Sequence, residues 1–340
     1  MRFEKVSIAA LASLDAPHRI SSDDIEEQLA ATMDRLGVPR GLLEELSGIR
    51  ARRFWEEGVQ PSDVATRAAE LALAESEVPR ERIGVLVNTS VCRDYIEPST
   101  ACLVHGNLGL PETCMNFDLG NACLAFINGM DIVGNMIERG QIDYGLVVDG
   151  EGSRHAIDQT IERLNAADCD EKTFRANFAT LTLGSGAAAM LLARRELAPA
   201  GHPYLGGVNL ASTGNGNNRL CVGQPDKMVT DTKSLMVAGL KLAERTWRAA
   251  EQELAWKPEL LDHYTVHQVS RAHIGKMCHM LSIDESKVYK LFPEYGNIGP
   301  ASVPIALDKA WREGLLQAGH RVALMGIGSG LNCTMAEVSW

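Results

Sequence analysis

The sequence predicts a layered α/β fold made of two similar halves, and three observations carry that prediction. Short apolar, β-branched runs such as Ile83-Gly-Val-Leu-Val-Asn-Thr-Ser90 alternate with longer helical patterns. Runs of this kind are the mark of strands covered on both faces, as in parallel sheets flanked by helices. Landmarks of the first half return in the second: Gly84–Ser90 with Tyr264–Ser270, Gly120-Asn121 with Gly296-Asn297, and Asp143–Gly150 with Arg321–Gly328, offset by between about 176 and 180 residues. A repeated β/α unit outranks any single element as a fold signal. The chain's 340 residues suffice for two such halves, placed at 1–195 and 196–340.

In chain order, Val6–Leu11 reads as the first strand rather than a signal peptide, because Glu4 and Lys5 precede a run that is too short. Ser21–Leu36 reads as a helix opened by Ser-Ser-Asp-Asp, a capping residue with acids in the first turn. Leu43–Phe54 is polar and basic, and Ser62–Ala74 is a second helix with a small alanine face, capped by Ser62. Ile83–Ser90 and Met115–Leu119 are strands, with a short helix over Pro98–Gly109. Leu124–Arg139 is apolar except for the stripe Asn128, Asp131, Asn135 and Glu138, so it is buried over most of its circumference. Tyr144–Asp149 is a buried strand, about 153–180 an irregular cap or insertion, and Ala188–Ala193 a strand before the linker at Arg194–Pro203. The second half opens on strand Tyr204–Ser212 and helix Lys233–Leu254, and Gly214-Asn-Gly216-Asn-Asn218 is a loop without a dinucleotide fingerprint.

Composition narrows the partners. The net charge is −11 and no run of Lys or Arg occurs, which argues against nucleic acid or an anionic membrane. No apolar stretch is long enough for membrane insertion. The eight cysteines (Cys92, Cys102, Cys114, Cys123, Cys169, Cys221, Cys278, Cys333) form no Cys-x-x-Cys pair and have no histidine at zinc spacing. Scattered thiols of this kind are expected reduced, in a cytoplasmic protein without a metal site.

Cys123 stands at the junction between Asn116–Leu119 and the apolar helix. Free N–H groups at a helix start favour a thiolate, while the commoner fate of a free cysteine is inert packing. The duplication bears on that choice. A pseudo-twofold would bring the helix start with Cys123 against the one with Asn297, beside the strand end with His267. A cysteine nucleophile with His and Asn donors for a carbonyl oxygen is an acyl-transfer set. His263, His273, His279 and His320 fall on flanks or the following helix, where solvated or capping roles are expected.

These residues resemble a known family. Asn121-Ala-Cys123 opening an apolar helix, Val266-His267, Gly296-Asn297-Ile-Gly-Pro-Ala-Ser302, Ser47-Gly-Ile-Arg-Ala-Arg-Arg53 and Gly326-Ile-Gly-Ser-Gly330 together resemble the thiolase superfamily, in its ketoacyl synthase III-like branch. The resemblance implies a five-layer αβαβα sandwich, a homodimer, coenzyme A thioesters as substrates with no further cofactor, and an acyl group carried on Cys123. Glu97, 26 residues before Cys123, resembles the general base of the thiolases that begin long-chain olefin biosynthesis. Those enzymes join two long-chain acyl-CoAs without decarboxylation to a 2-alkyl-3-oxoalkanoate and pass it to downstream pathway enzymes. In that family the glutamate acts in the partner subunit's site. Removing an α-proton needs a base, whereas a malonyl-dependent 3-oxoacyl-(acyl-carrier-protein) synthase III makes its carbanion by losing carbon dioxide. That enzyme is the alternative, and a catalytically silent scaffold paralogue is a rival of another class.

Further expectations attach to the resemblance. The backbone N–H groups of Cys123 and Ser329 form a second oxyanion hole. Phe126, Ile127, Met130, Met236 and Leu240 are candidates to line acyl tunnels, with ordinary core as the rival reading. Arg50, Arg53, Lys241, Arg245 and Arg248 are candidates for coenzyme A phosphates, against plain solvated surface.

Overall fold

The computed structural model describes all 340 residues. Strand β1 (Val6–Asp15) is buried over most of its length, and β2 (His18–Ser21) leaves it toward a peripheral cap. The expected helix from Ser21 to Leu36 is two, α1 (Ser22–Gln28) and α2 (Ala30–Leu36), broken at Leu29. Ser21 and Asp24 do cap it reciprocally, each backbone N–H donating to the other's side chain at 2.8 and 3.0 Å. Helix α3 (Leu42–Ser47) and β3 (Ala51–Phe54) follow, β3 pairing antiparallel with β2. Helix α4 (Pro61–Ser76) is capped by Gln60 with Asp63, not by Ser62, because Pro61 already occupies the first helical position.

Next come β4 (Ile83–Asn88), α5 (Thr100–Leu108), β5 (Met115–Asp118), α6 (Ala125–Glu138) and β6 (Tyr144–Glu151). The stretch expected to be irregular is helical, as α7 (Arg154–Leu164) and α8 (Glu171–Asn177). Ile157, Ile161 and Leu164 make an i, i+4, i+7 stripe that packs with Phe174 on Ile25, Leu29 and Met33. Strand β7 (Gly186–Arg194) ends the first half. The second holds β8 (His202–Ala211), the hairpin β9 (Cys221–Gln224) and β10 (Lys227–Thr230), α9 (Thr232–Glu253) and β11 (His263–Val266). It closes with α10 (Arg271–Leu281), α11 (Phe292–Tyr295), α12 (Ser302–Arg312), β12 (Arg321–Gly328) and β13 (Asn332–Ser339).

Strand order is β11-β12-β13-β8-β1-β7-β6-β4-β5. The ladder turns from one half to the other where β1 meets β8 through only two residue pairs, Ser7 with Pro203 and Ile8 with His202. Each half repeats one pattern: β4–β6 and β11–β12 are parallel, and β6–β7–β1 and β12–β13–β8 are antiparallel. Val288 bridges Tyr264 in parallel, taking beside β11 the place that β5 has beside β4. The core divides accordingly. One cluster joins inner-face residues such as Val87, Val147, Leu324 and Ala336 to Phe126 and Met130 of α6 and Ile305 and Leu307 of α12. Two others pack α4 and α5, and α9 and α10, on the outer faces. Helices, sheet, helices, sheet, helices make the five layers, as the thiolase resemblance implied.

The first part of the polar stripe of α6, Asn128 and Asp131, turns to the neighbouring sheet rather than to solvent. Asn128 donates to Asn209 at 3.2 Å and to Thr334 at 3.3 Å, while Tyr204 and Asn209 donate to Asp131 at 2.7 and 3.2 Å. Each polar group that the middle layer buries in this stripe therefore finds a partner on β8 or β13.

Candidate active site

Cys123 lies in a short 3-10 turn, Ala122–Leu124, ahead of α6. Ala122 is in the left-handed region at φ 47°, a costly conformation for a residue with a Cβ. The turn is pinned from both sides. The Asn121 amide donates to Asn128 at 2.6 Å and accepts from Asn332 at 3.1 Å. From the second half, β12 ends against it: a Cβ placed on Gly328 would be 3.4 Å from the Cys123 amide nitrogen and 3.0 Å from the Asn121 carbonyl. A side chain there would press the turn by a few tenths of an ångström. Ser329 follows directly.

Asn297 and His267 are both nearly buried. The Asn297 segment is stitched to the loop before β7, with Asn297 N–H donating to Thr182 O and Gly184 N–H to Asn297 O, both at 2.9 Å. Asn297 Oδ1 accepts from Gly299 N–H at 3.1 Å, which leaves its amide Nδ2 as the free donor. His267 Nδ1 lies 3.1 Å from Ser302 Oγ, whose single proton goes to Gly299 O at 2.9 Å. Ser302 can then only accept from the ring, so Nδ1 carries the hydrogen and Nε2 a lone pair.

Electrostatics correct one expectation. Burial pushes the Cys123 thiol up to about 12, with Cys221, Glu151 and Asp149 adding to it. The helix start therefore does not by itself make a thiolate, because desolvation of the anion outweighs a partial charge. His267 moves the other way, to about 3, through burial first and then His273. His273 is itself half-buried and lowered by desolvation to about 4, with Nδ1 unpartnered. It corrects the expected flank role: α10 turns it inward, and with His267, Leu240, Met277, Met325 and Ile327 it lines a narrow apolar pocket.

Beneath the thiol, β6 ends in two buried carboxylates, Asp149 and Glu151. Burial raises both, Glu151 to about 7. The sequence reading missed Glu151, Ser302 and His273. Glu151, two residues after Asp149 on a strand otherwise apolar or glycine, was the available signal.

Glu97 lies at the surface of its own chain, exposed on the loop between β4 and α5. Asp94 fastens this loop by accepting from Ser62 Oγ at 2.6 Å and Thr100 Oγ at 3.0 Å. Beyond that clasp Tyr95 and Ile96 stand free, Ile96 at 94% exposure.

The remaining candidates scatter. Phe126, Ile127 and Met130 are fully buried among middle-layer core residues, so in this conformation they fill rather than line a space. Leu240 faces the apolar pocket, whereas Met236 lies half-buried beside Lys276. Arg53 is half-buried over the Tyr295 ring at 4.9 Å, placing its charge away from open surface. Arg50 is exposed but paired with Glu294 at 2.8 Å, and Arg248 with Glu244 at 2.6 Å. Lys241 and Arg245 are exposed on α9.

Models of the 3-oxoacyl-(acyl-carrier-protein) synthase III family match residues 117–214, and those of its C-terminal part match 252–340. An acyl-CoA:acyl-CoA alkyltransferase of Xanthomonas campestris is 54% identical over 340 residues, 100% of each chain. One from Shewanella oneidensis is 36% identical over 352 residues, again 100% of each. A crystal structure of Xanthomonas campestris OleA superposes with a TM-score of 0.98 at 53% identity, covering 100% of this chain and 98% of that one. Structures of the same protein exist with a cysteine, a glutamate or a histidine replaced, and with lauric acid and lauroyl-CoA bound.

Proposed function

This chain belongs to the acyl-CoA:acyl-CoA alkyltransferase family of the thiolase superfamily, and from that premise we propose that it joins two acyl-CoA molecules by Claisen condensation without decarboxylation. Long-chain acyl groups are its substrates and a 2-alkyl-3-oxoalkanoate its product.

Cys123 carries the first acyl group. Its thiol is protonated at neutral pH, and the lone pair on His267 Nε2 receives that proton as sulfur attacks the thioester carbonyl. The imidazolium so formed and Asn297 Nδ2 donate to the oxyanion. Collapse expels coenzyme A thiolate, which takes the proton back from His267. Glu97 then removes an α-proton from the second acyl-CoA, and the carbanion attacks the acyl-Cys123 carbonyl while the N–H groups of Cys123 and Ser329 receive the new oxyanion. Expulsion of the Cys123 thiolate, which regains a proton as Glu97 gives one up, leaves a 3-oxoacyl-CoA thioester, and water cleaves it to the keto acid and free coenzyme A.

The observation that carries this reading is Glu97 itself, an uncommitted carboxylate held out on a clasped loop. It stands 26 residues before Cys123, and the glutamate and cysteine replaced in the Xanthomonas campestris structures differ by the same 26 in sequence number. Exposed within its own chain, Glu97 serves the site of the partner in a homodimer. Val91, Tyr95 and Ile96 on the loop and Met115 on the edge strand β5 supply exposed apolar surface for that contact. Arg50 and Arg245 remain the exposed cations nearest in kind to phosphate contacts for coenzyme A.

The test separates the half-reactions. Glu97→Gln should keep the acyl mass on Cys123 after incubation with an acyl-CoA and lose at least about 100-fold in condensation. Condensation at the parent rate would remove Glu97 from the base role. Carbon dioxide released in proportion to product from malonyl thioesters would replace the reaction with the decarboxylating one.

A further inference from the structure

Glu151 ends β6 with its side chain on the inner face, in line with Val147 and Asp149. One carboxylate oxygen accepts from Val91 N–H at 2.6 Å and the other from Cys92 N–H at 3.3 Å. These two amides are the root of the loop that carries Glu97. The same carboxyl faces the Asn297 turn, since a Cβ placed on Gly299 would lie 3.6 Å from its Oε1. Its charge is also among those that raise the Cys123 thiol. Trp55 Nε1 donates to the Glu151 carbonyl at 2.9 Å, and the Cys92 thiol donates to Gly152 O at 3.4 Å, so strand end and loop root are fastened as one piece. Farther out, the loop is held by Asp94 alone among its acids.

We infer that Glu151 is a positioning residue that ties the base loop of one subunit to that subunit's own thiol site, so that each subunit's Cys123 site sets how its Glu97 is presented to the partner. The inference rests on the reading that Glu97 acts across a homodimer. A carboxylate holding two backbone N–H groups fixes the direction in which the loop leaves β4. Because its other side faces the Asn297 turn, a change in charge or bulk at Cys123 and Asn297 reaches the loop through one side chain. Burial raises the Glu151 carboxyl well above the ordinary carboxylate range, with the buried carboxyl of Asp149 beside it on the same face of β6.

Differently tagged subunits carrying Cys123→Ala and Glu97→Gln, co-expressed and purified through both tags, test this. Such a mixed dimer has one working pair, the thiol of one subunit and the base of the other. Its condensation activity reports the cross-subunit reading. If no double-tagged species forms, or if it condenses nothing, that reading fails and this inference falls with it. If it is active, Glu151→Gln is added to one subunit at a time. On the base-bearing subunit, condensation should fall at least tenfold while acylation of Cys123 in the other subunit stays within twofold. On the thiol-bearing subunit, the fall in condensation should be several-fold smaller. Equal losses at the two placements, a larger loss on the thiol-bearing side, or no loss at either, would overturn the coupling while leaving the cross-subunit base intact. Thermal unfolding of each mixed dimer checks that both placements fold alike, and Glu151→Asp, which keeps the acceptor on a shorter arm, should recover part of the lost rate.

Discussion

His273 and His267 line one apolar pocket, and desolvation lowers both imidazoles, His267 to about 3 and His273 to about 4. The arrangement costs stability in acid. A histidine lowered on folding is protonated first in the unfolded chain, so stability present above its ordinary value of 6.5 is lost as pH falls toward the folded value, about 4 for His273. Between pH 7 and pH 5 the parent should lose about 2 kcal/mol more than His273→Gln. Urea unfolding at the two pH values measures this, and parallel losses would exclude His273 as the source. Glu151, raised to about 7 from 4.5, acts with the opposite sign as pH rises through that window, but it is common to both proteins and cancels in the comparison.

The segments around β7 and α12 decide where the donor amide sits. Gly184 N–H holds the Asn297 carbonyl, and a Cβ on Gly184 would fall 1.8 Å from the Tyr295 carbonyl oxygen. Gly184→Ala must therefore displace the Tyr295–Asn297 segment. Misplacement by about 1 Å costs on the order of 100-fold when a group must meet a developing charge. Both acylation and condensation should fall by about that factor with the circular dichroism unchanged. Full activity in a folded variant would mean that Asn297 tolerates the shift. A merely local turn pair, which is how Gly296-Asn297 reads in isolation, would not carry this sensitivity.

For the whole molecule, the layered core leaves one edge unfinished, with β5 unpaired on its outer side and the loop tip of Tyr95 and Ile96 in solvent. An exposed strand edge beside apolar side chains invites pairing with another chain. Ile96→Lys should shift sedimentation toward a monomer and reduce condensation while Cys123 still takes up an acyl group. A dimer of unchanged affinity with full condensation would place the subunit contact elsewhere. No helix of the chain is long and apolar enough to cross a membrane.

The sequence alone determined the repeated β/α pattern, the covered strands, and the positions of Cys123, His267, Asn297 and Glu97. Each of these is written in local composition or in a motif at a set spacing. The broken helix at Leu29 and the helical cap at α7 and α8 were less legible, because packing of Ile157, Ile161 and Phe174 on the cap decides them against weak local preference. Only the tertiary structure decided the chemistry of the thiol. Desolvation depends on what surrounds a group in space, and the surroundings of Cys123 come from β6, β9 and β12, far along the chain. The inward turn of His273, the proton on His267 Nδ1 and the two-sided grip of Glu151 are settled in the same way, by neighbours that sequence distance hides.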